Sequence, residues 1–408
     1  MSKEIRLIAL DPPYSRYFKD LVKCLDSNGN VGFKRFYIST LGYLVFGVGD
    51  ASLIKAGIVR KKPSFTTRKR VVTLAKKLNY SLSAKTLYRS AQYVEWLRAE
   101  LEQYKVNTCL MYNATRFHHA LAITLFEQMN VSYYVFERGN QRGKTTTLLT
   151  SPTLVSLPVL IEKPGIETAE LKHYGTETFT DYVLFSLFLI FDRIGSVFRL
   201  NFEPPDKILR KKNYPQILFQ WVKAKYSPTP VLDRQYLLVP LQLEYDSQVR
   251  LFSTFKSTQA FIEAVEKGFY RSTLSEEYSL VFTTHPFECK KHQFDPRSHC
   301  YSGKTGVLMS DAIAVATINS TSGMEAIEKL KPCFIFGDAI YKQKGIVIPT
   351  TQESFTDSLN QWHQDAWSPS QHEVESLKRR VFVSTQVIGS VYKYDAESLD
   401  VTQQKIVS

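Results

Sequence analysis

The chain has 408 residues, 44% hydrophobic and 13% aromatic, enough to bury sizeable cores and to form two domains. Its formal net charge of +13, concentrated at Arg60-Lys61-Lys62, Arg68-Lys69-Arg70 and Arg210-Lys211-Lys212, suits nucleic acid, anionic substrates or an anionic membrane surface without choosing among them. Five scattered cysteines without C-x-x-C spacing argue against a disulfide framework; with no secretory signal and no apolar run long enough to span a bilayer, a reduced cytoplasmic globular protein is expected, residing in the cytoplasm or at the cytoplasmic face of the inner membrane.

The first half alternates strands and helices. Arg6–Leu10 reads as a strand, and Phe18, Leu21, Val22 and Leu25 then fall on one helical face, closed by Asn28-Gly29-Asn30. Val31–Ile38, Thr108–Tyr112 and Ser132–Phe136 are further strands, with a helix over Arg116–Met129 and long helical segments over Thr67–Tyr104. The segment 166–233 is helical in pattern, aromatic and basic. Its run Tyr182–Phe191, followed by Arg193, Arg199 and Lys207, is read as a buried core helix in preference to one resting on a membrane interface. Tyr236–Pro240, Leu280–Thr284, Ala312–Ile318 and Cys333–Gly337 are short apolar strands separated by helices over Thr258–Phe269 and Ser322–Leu330. A capping box at Ser370-Gln-His-Glu373 opens a helix over Gln371–Ile388, and the last fifteen residues are expected to fray.

Strands alternating with helices imply parallel sheets covered on both faces, hence an α/β chain with two Rossmann-like domains facing a cleft. The expected division is 1–165, a helical basic linking segment over 166–233, a second α/β domain over 234–370, and a C-terminal helix and tail over 371–408.

Four loops fall where parallel strands end, the place where open α/β sheets bind ligands. Asn319-Ser320-Thr321-Ser322-Gly323 leads from an apolar strand into a helix containing Glu325, a start able to hold a phosphate, although the spacing is not that of a nucleotide triphosphatase loop. Glu137-Arg138-Gly139-Asn140-Gln141-Arg142 sets a general acid or base beside an arginine that can grip an acidic substrate. Pro240-Leu-Gln242-Leu-Glu244-Tyr-Asp246-Ser247-Gln248 crowds two carboxylates, two amides and a hydroxyl together, and an aspartate among such donors can serve as a nucleophile. In Thr284-His285-Pro286, proline biases His285 toward an extended backbone from which its imidazole can donate to a phosphate. A metal reading of His285, Cys289, His292, His299 and Cys300 lacks paired ligand spacing and is crowded by Lys290, Lys291 and Arg297.

The ordered set Arg116-x-x-His119, Phe136-Glu137-x-Gly139-x-x-Arg142, Pro240-Leu-Gln242-x-x-x-Asp246-Ser247-Gln248, His285-Pro286 and Asn319-Ser-Thr-x-Gly323-x-Glu325-Ala326 resembles the Kps-type capsule and O-antigen β-Kdo glycosyltransferases, from Arg116 to Tyr341. The resemblance implies a GT-B-like architecture, retention of the β configuration, and CMP-Kdo as a substrate with neither cofactor nor metal. It implies Asp246 as nucleophile and Glu137 as general acid/base. The donor would be held by His285, Pro286, Ser320, Thr321, Ser322, Gly323, Glu325, Gln242, Ser247 and Gln248, and the remaining substrate contacts would come from Arg116, His119 and Arg142. Implied partners are a lipid-linked or polysaccharide glycan acceptor, with peripheral association at the inner membrane and no nucleic acid. Glu244 competes with Asp246 as nucleophile. An inverting CMP- or UDP-sugar transferase of the same fold, or a non-catalytic subunit of an envelope-polysaccharide complex, are the alternative readings.

Overall fold

The computed structural model describes residues 5–26, 31–47, 49, 51–78, 80–114, 116–139, 144–150, 179–202, 232–244, 246–285, 288, 290–302 and 305–407, with side-chain surroundings given for Leu187 and Phe188 and again from Ile190 in the helix Phe179–Val197, and not given for Ser247. It folds as two compact units, Met1–Arg210 with Val381–Ser408, and Lys211–Arg380. The border expected at 165/166 lies outside the described residues and that at 233/234 lies beside a stretch that does. Of the expected 371–408 segment, Val381–Ser408 groups with the first unit.

The first unit contains β1 (Ile5–Leu10), β2 (Val31–Tyr37), β3 (Ala51–Leu53), β4 (Thr108–Tyr112), β5 (Ser132–Arg138) and β6 (Thr145–Leu149). The second contains β7 (Tyr236–Pro240), β8 (Ser279–Thr283), β9 (His299–Tyr301), β10 (Ala312–Thr317), β11 (Cys333–Ile335) and β12 (Ile348–Pro349), after which β13 (Gln386–Ile388) returns to the first. The sheets run β13-β6-β5-β4-β1-β2-β3 and β12-β11-β10-β7-β8-β9. The second is parallel throughout. The first is parallel from β3 to β5 and is extended by β6 and β13 through two antiparallel pairings, β5–β6 and β6–β13, that the alternation of strands and helices does not anticipate. The fold class is the expected one, GT-B-like in having two α/β units each built on a Rossmann-like parallel sheet.

Burial explains the apolar runs. In β1, Leu7 and Ala9 join one core with Leu110, Phe136 and the helix Tyr17–Leu25, while Ile8 and Leu10 join another with Cys109, Met111 and the helices Ala84–Gln103 and Phe117–Met129. A strand clothed on both faces has no polar alternation.

Two expectations at the C-terminus are corrected. The helix opened by the capping box ends at Thr385, and Gln386–Ile388 becomes a strand paired with Thr145–Thr147. The box itself forms, with Glu373 N–H donating to Ser370 Oγ at 3.2 Å and Ser370 N–H to Glu373 Oε2 at 3.4 Å. The last residues form the helix Ala396–Val407 rather than fraying, because they complete the cover on the Leu7–Phe136 face. Tyr17 Oη lies 2.8 Å from Thr402 Oγ1, and Tyr134 Oη donates to the Ile406 carbonyl at 2.7 Å.

Candidate active site

In each sheet the strand order reverses beside the first strand of the unit, and the crevice at the carboxyl ends of those two strands is where doubly wound sheets take ligands. In the second unit the reversal lies between β7 and β10, so the loop after β7 and the Asn319-Ser320 segment after β10 are brought together. Gln242 and Asn319 seal the junction: Gln242 Nε2 donates to Asn319 Oδ1 at 2.9 Å, and Asn319 N–H donates back to Gln242 Oε1 at 3.1 Å. Asn319 Nδ2 donates to the Gln248 carbonyl at 2.9 Å, and the Gln242 carbonyl accepts from Thr258 Oγ1 at 3.0 Å. Asn319 is buried, so these bonds are needed to satisfy an amide removed from water.

The helix Thr321–Glu328 starts at this crevice with Ser320 as its cap, Ser320 Oγ accepting from Ser322 N–H at 3.1 Å. The Ser320 carbonyl takes Gly323 N–H at 2.9 Å and Tyr341 Oη–H at 2.5 Å. Ser320 therefore consumes part of the donor array itself, so the helix dipole and the hydroxyls of exposed Thr321 and half-buried Ser322 are what this helix start can offer an anion. Gly323 has a steric reason: a Cβ there would sit 2.4 Å from Tyr341 Oη and 2.8 Å from its Cζ. Burial pushes the Tyr341 phenol well above its ordinary range, so it remains a donor. Glu325, one turn on, is exposed.

Asp246 caps the neighbouring helix Ser247–Phe252, its Oδ1 accepting from Gln248 N–H at 2.9 Å. Glu244, its competitor, forms an ion pair with Lys290. The structure thus gives the two carboxylates different surroundings only two residues apart. His285 follows β8, at the same sheet edge. One strand, β7, separates it from β10, the strand that leads to Asn319. The His285 carbonyl accepts from Glu288 N–H at 2.8 Å. Pro286 lies outside the described residues, as do Arg142 and the side chain of Ser247.

In the first unit Glu137 stands near the end of β5, opposite Thr147 of β6. Desolvation raises its carboxyl from 4.5 to about 7. Gly139, two residues on, is held by β6, where a Cβ would lie 2.0 Å from Thr145 Oγ1 and 2.4 Å from the Thr145 carbonyl carbon. The Glu-x-Gly spacing therefore belongs to a tight antiparallel hairpin, with Gly139 N–H donating to Thr145 O at 3.0 Å.

The strand order of this sheet reverses between β1 and β4. There the structure assembles residues of which sequence reasoning named only Arg116 and His119. Arg116 forms an ion pair with Asp11, whose side chain is almost wholly buried, and His119 Nδ1 lies 2.5 Å from the Asn113 carbonyl. Asp11 and Asn113 directly follow β1 and β4 with positive φ angles of 44° and 67°, conformations that Asp and Asn tolerate best among residues with a Cβ. The signal for Asp11 was a charged residue directly after a strand buried on both faces. Asp11, His118 and His119 also bring donor atoms within 4.8 Å of one another, a constellation able to hold a cation in principle. Arg116 on the Asp11 carboxylate supplies the compensating positive charge by itself. Among the described residues, the histidines and cysteines between 285 and 300 do not converge in this way.

Residues 222–392 match the family model described as capsule polysaccharide biosynthesis protein. The match covers less than half of the chain. The matched segment holds Asp246, His285 and the Ser320 helix start. The capsule polysaccharide export protein KpsS of Escherichia coli is 29% identical over 175 residues, 40% of this chain and 43% of that protein, so the chain aligns with less than half of that relative. The capsule polysaccharide modification protein LipB of Neisseria meningitidis serogroup A is 22% identical over 343 residues, 74% of this chain and 78% of that protein. Among solved structures, the beta Kdo 2,7 transferase of Thermosulfurimonas dismutans KpsC is 14% identical with a TM-score of 0.35, covering 70% of this chain and 85% of that one. The beta Kdo 2,4 transferase of the same protein is 14% identical with a TM-score of 0.38, covering 73% and 88%.

Proposed function

We propose that the chain is a retaining β-Kdo glycosyltransferase that moves Kdo from CMP-Kdo to a glycan acceptor during bacterial surface-polysaccharide synthesis. The observation that carries this reading is the Gln242–Asn319 clasp, which draws the Asp246 loop and the Ser320 helix start to one reversal point of the second sheet. A carboxylate and an anion-favouring helix end in one crevice are what attack at an anomeric carbon bearing a phosphate leaving group requires.

In the proposed reaction, an Asp246 oxygen attacks the anomeric carbon of Kdo, and the bond to the CMP phosphate breaks with its electron pair leaving on that phosphate. His285, Thr321 and Ser322 stabilise the departing anion, aided by the helix dipole. The acceptor hydroxyl then gives its proton to the Glu137 carboxylate, and its oxygen displaces Asp246, so two inversions leave the β configuration unchanged. The pairing of Glu244 with Lys290 favours Asp246 as nucleophile. A carboxyl near 7 suits Glu137, because the base form is populated at neutral pH and its proton affinity is higher than that of an ordinary glutamate. Arg116 and His119, at the reversal point of the first sheet, are assigned to the acceptor side.

A transfer assay with CMP-Kdo and a panel of synthetic acceptors tests the reading. The product should carry β-linked Kdo by NMR, and Asp246→Asn should abolish its formation. An α-linked product would make the enzyme inverting, and unchanged turnover in Asp246→Asn would remove the nucleophile assignment.

A further inference from the structure

The helix Phe179–Val197 is amphipathic in reverse. Leu187, Ile190, Phe191, Ile194, Val197 and Phe198, spaced i, i+3, i+4, i+7, i+10 and i+11, form one helical stripe, and all are 46% to 71% exposed. The polar residues Asp192 and Ser196 are the buried ones, at 6% and 8%. The buried-core reading of this segment is thereby corrected, and the cause is a polar anchor. Ser39 Oγ donates to the Asp192 carboxylate, Asn201 Nδ2 donates to Asp192 Oδ1 at 3.0 Å and to Ser196 Oγ at 3.2 Å, and Asn201 Oδ1 accepts from Thr40 N–H at 2.8 Å. These bonds fix which face turns inward. The helix packed alongside, Thr40–Phe46, also exposes large apolar residues, Leu44 at 59% and Val45 at 55%.

Between Leu187 and Leu200 the only acid is the buried Asp192, the bases are Arg193 and exposed Arg199, and Thr40–Phe46 carries no charge. Arg199 closes the helix at φ 55°, with Leu200 N–H donating to the Gly195 carbonyl at 2.8 Å, a position where glycine would be unstrained. Arg199 sets a cation beside Phe198 at the end of the apolar stripe. Among the described residues no helix is long and apolar enough to cross a membrane.

We infer that this face docks on an anionic lipid bilayer, the stripe lying in the interface with Leu44 and Val45 beside it and Arg199 at the headgroups. Apolar side chains rimmed by arginine, with no exposed acid among the described residues from Leu187 to Leu200, complement such a surface, and the chain's +13 charge draws it there. The inference does not depend on the sugar transferred.

Sedimentation of the full chain with vesicles tests it. Binding should be at least tenfold stronger to vesicles with about a third phosphatidylglycerol than to pure phosphatidylcholine, since basic residues add to apolar insertion. Ile190→Asn with Ile194→Asn should weaken binding at least tenfold while leaving the circular dichroism melt of the chain in place. Phe198→Trp provides a second readout that keeps the face apolar, and its emission should shift to the blue on adding anionic vesicles. Absence of binding to either vesicle, or an unshifted tryptophan, would overturn the inference. So would a stable dimer in light scattering that the double variant splits, because the face would then belong to a second copy.

Discussion

Glu137→Gln isolates the buried carboxyl because it keeps the side-chain shape and removes the charge. Burial raises the Glu137 carboxyl from 4.5 to about 7, so the folded state holds this proton more tightly than the unfolded chain does. Stability from this group is therefore full below about pH 4.5, falls as pH rises through the interval to about 7, and is flat beyond it. A shift of that size corresponds to about 3 kcal/mol lost by the wild-type chain on the alkaline side. The glutamine variant does not suffer this loss. The first unit of the variant should melt roughly 6–12 °C above wild type at about pH 8.5, and the difference should shrink toward zero at about pH 4.5. Differential scanning calorimetry of both proteins across that range gives the comparison directly. A melting difference that is the same at both ends, or a wild type favoured at alkaline pH, would refute the claim that burial raises the Glu137 carboxyl.

Three further outcomes follow from the geometry. Gly323→Ala forces a methyl group against Tyr341 Oη and should destabilise the second unit by about 1–3 kcal/mol, with Tyr341→Phe recovering part of the loss; chemical denaturation of the single and double variants measures both. A double-mutant cycle on Gln242→Ala and Asn319→Ala should give a coupling of about 1–2 kcal/mol, and either change should weaken thermal stabilisation by CMP, with UDP and RNA serving as controls. Removing Ala396–Ser408 exposes Leu7, Phe136 and their neighbours and deletes the partners of Tyr17 and Tyr134, so the truncated chain should lose its first unfolding transition or melt at least 5–10 °C lower, on the order set by about 2–4 kcal/mol.

The parts of the fold legible in the sequence are those where local pattern and tertiary burial agree. β1, β4, β7, β8 and β10 are near-continuous apolar runs because helices cover both faces, and any such run announces itself. β6 does not, since Thr145, Thr146 and Thr147 resemble a polar loop; they are buried only because Gln386 and the Arg138 and Gly389 carbonyls take their hydroxyls. The apolar run Tyr182–Phe191 is legible in the sequence, but the direction that the Leu187–Phe198 stripe faces is not, since it depends on Ser39 and Asn201, one of them some 150 positions away in sequence. The Asn319–Gly323 segment was readable as a helix start with a ligand, whereas its reliance on Gln242 and Tyr341 was not. Asp11 went unremarked because its partner Arg116 lies 105 positions on, and only the strand order of the first sheet joins them.

The central claim is that Asp246 bonds covalently to the transferred sugar. Incubating the chain with CMP-Kdo in the absence of acceptor, or the Glu137→Gln variant with acceptor present, and digesting it for peptide mass spectrometry tests this directly. The account predicts a Kdo-sized mass increase on the peptide containing Asp246, localised to that residue and absent in Asp246→Asn. An adduct on Glu244, or none while transfer proceeds with retention, would contradict it.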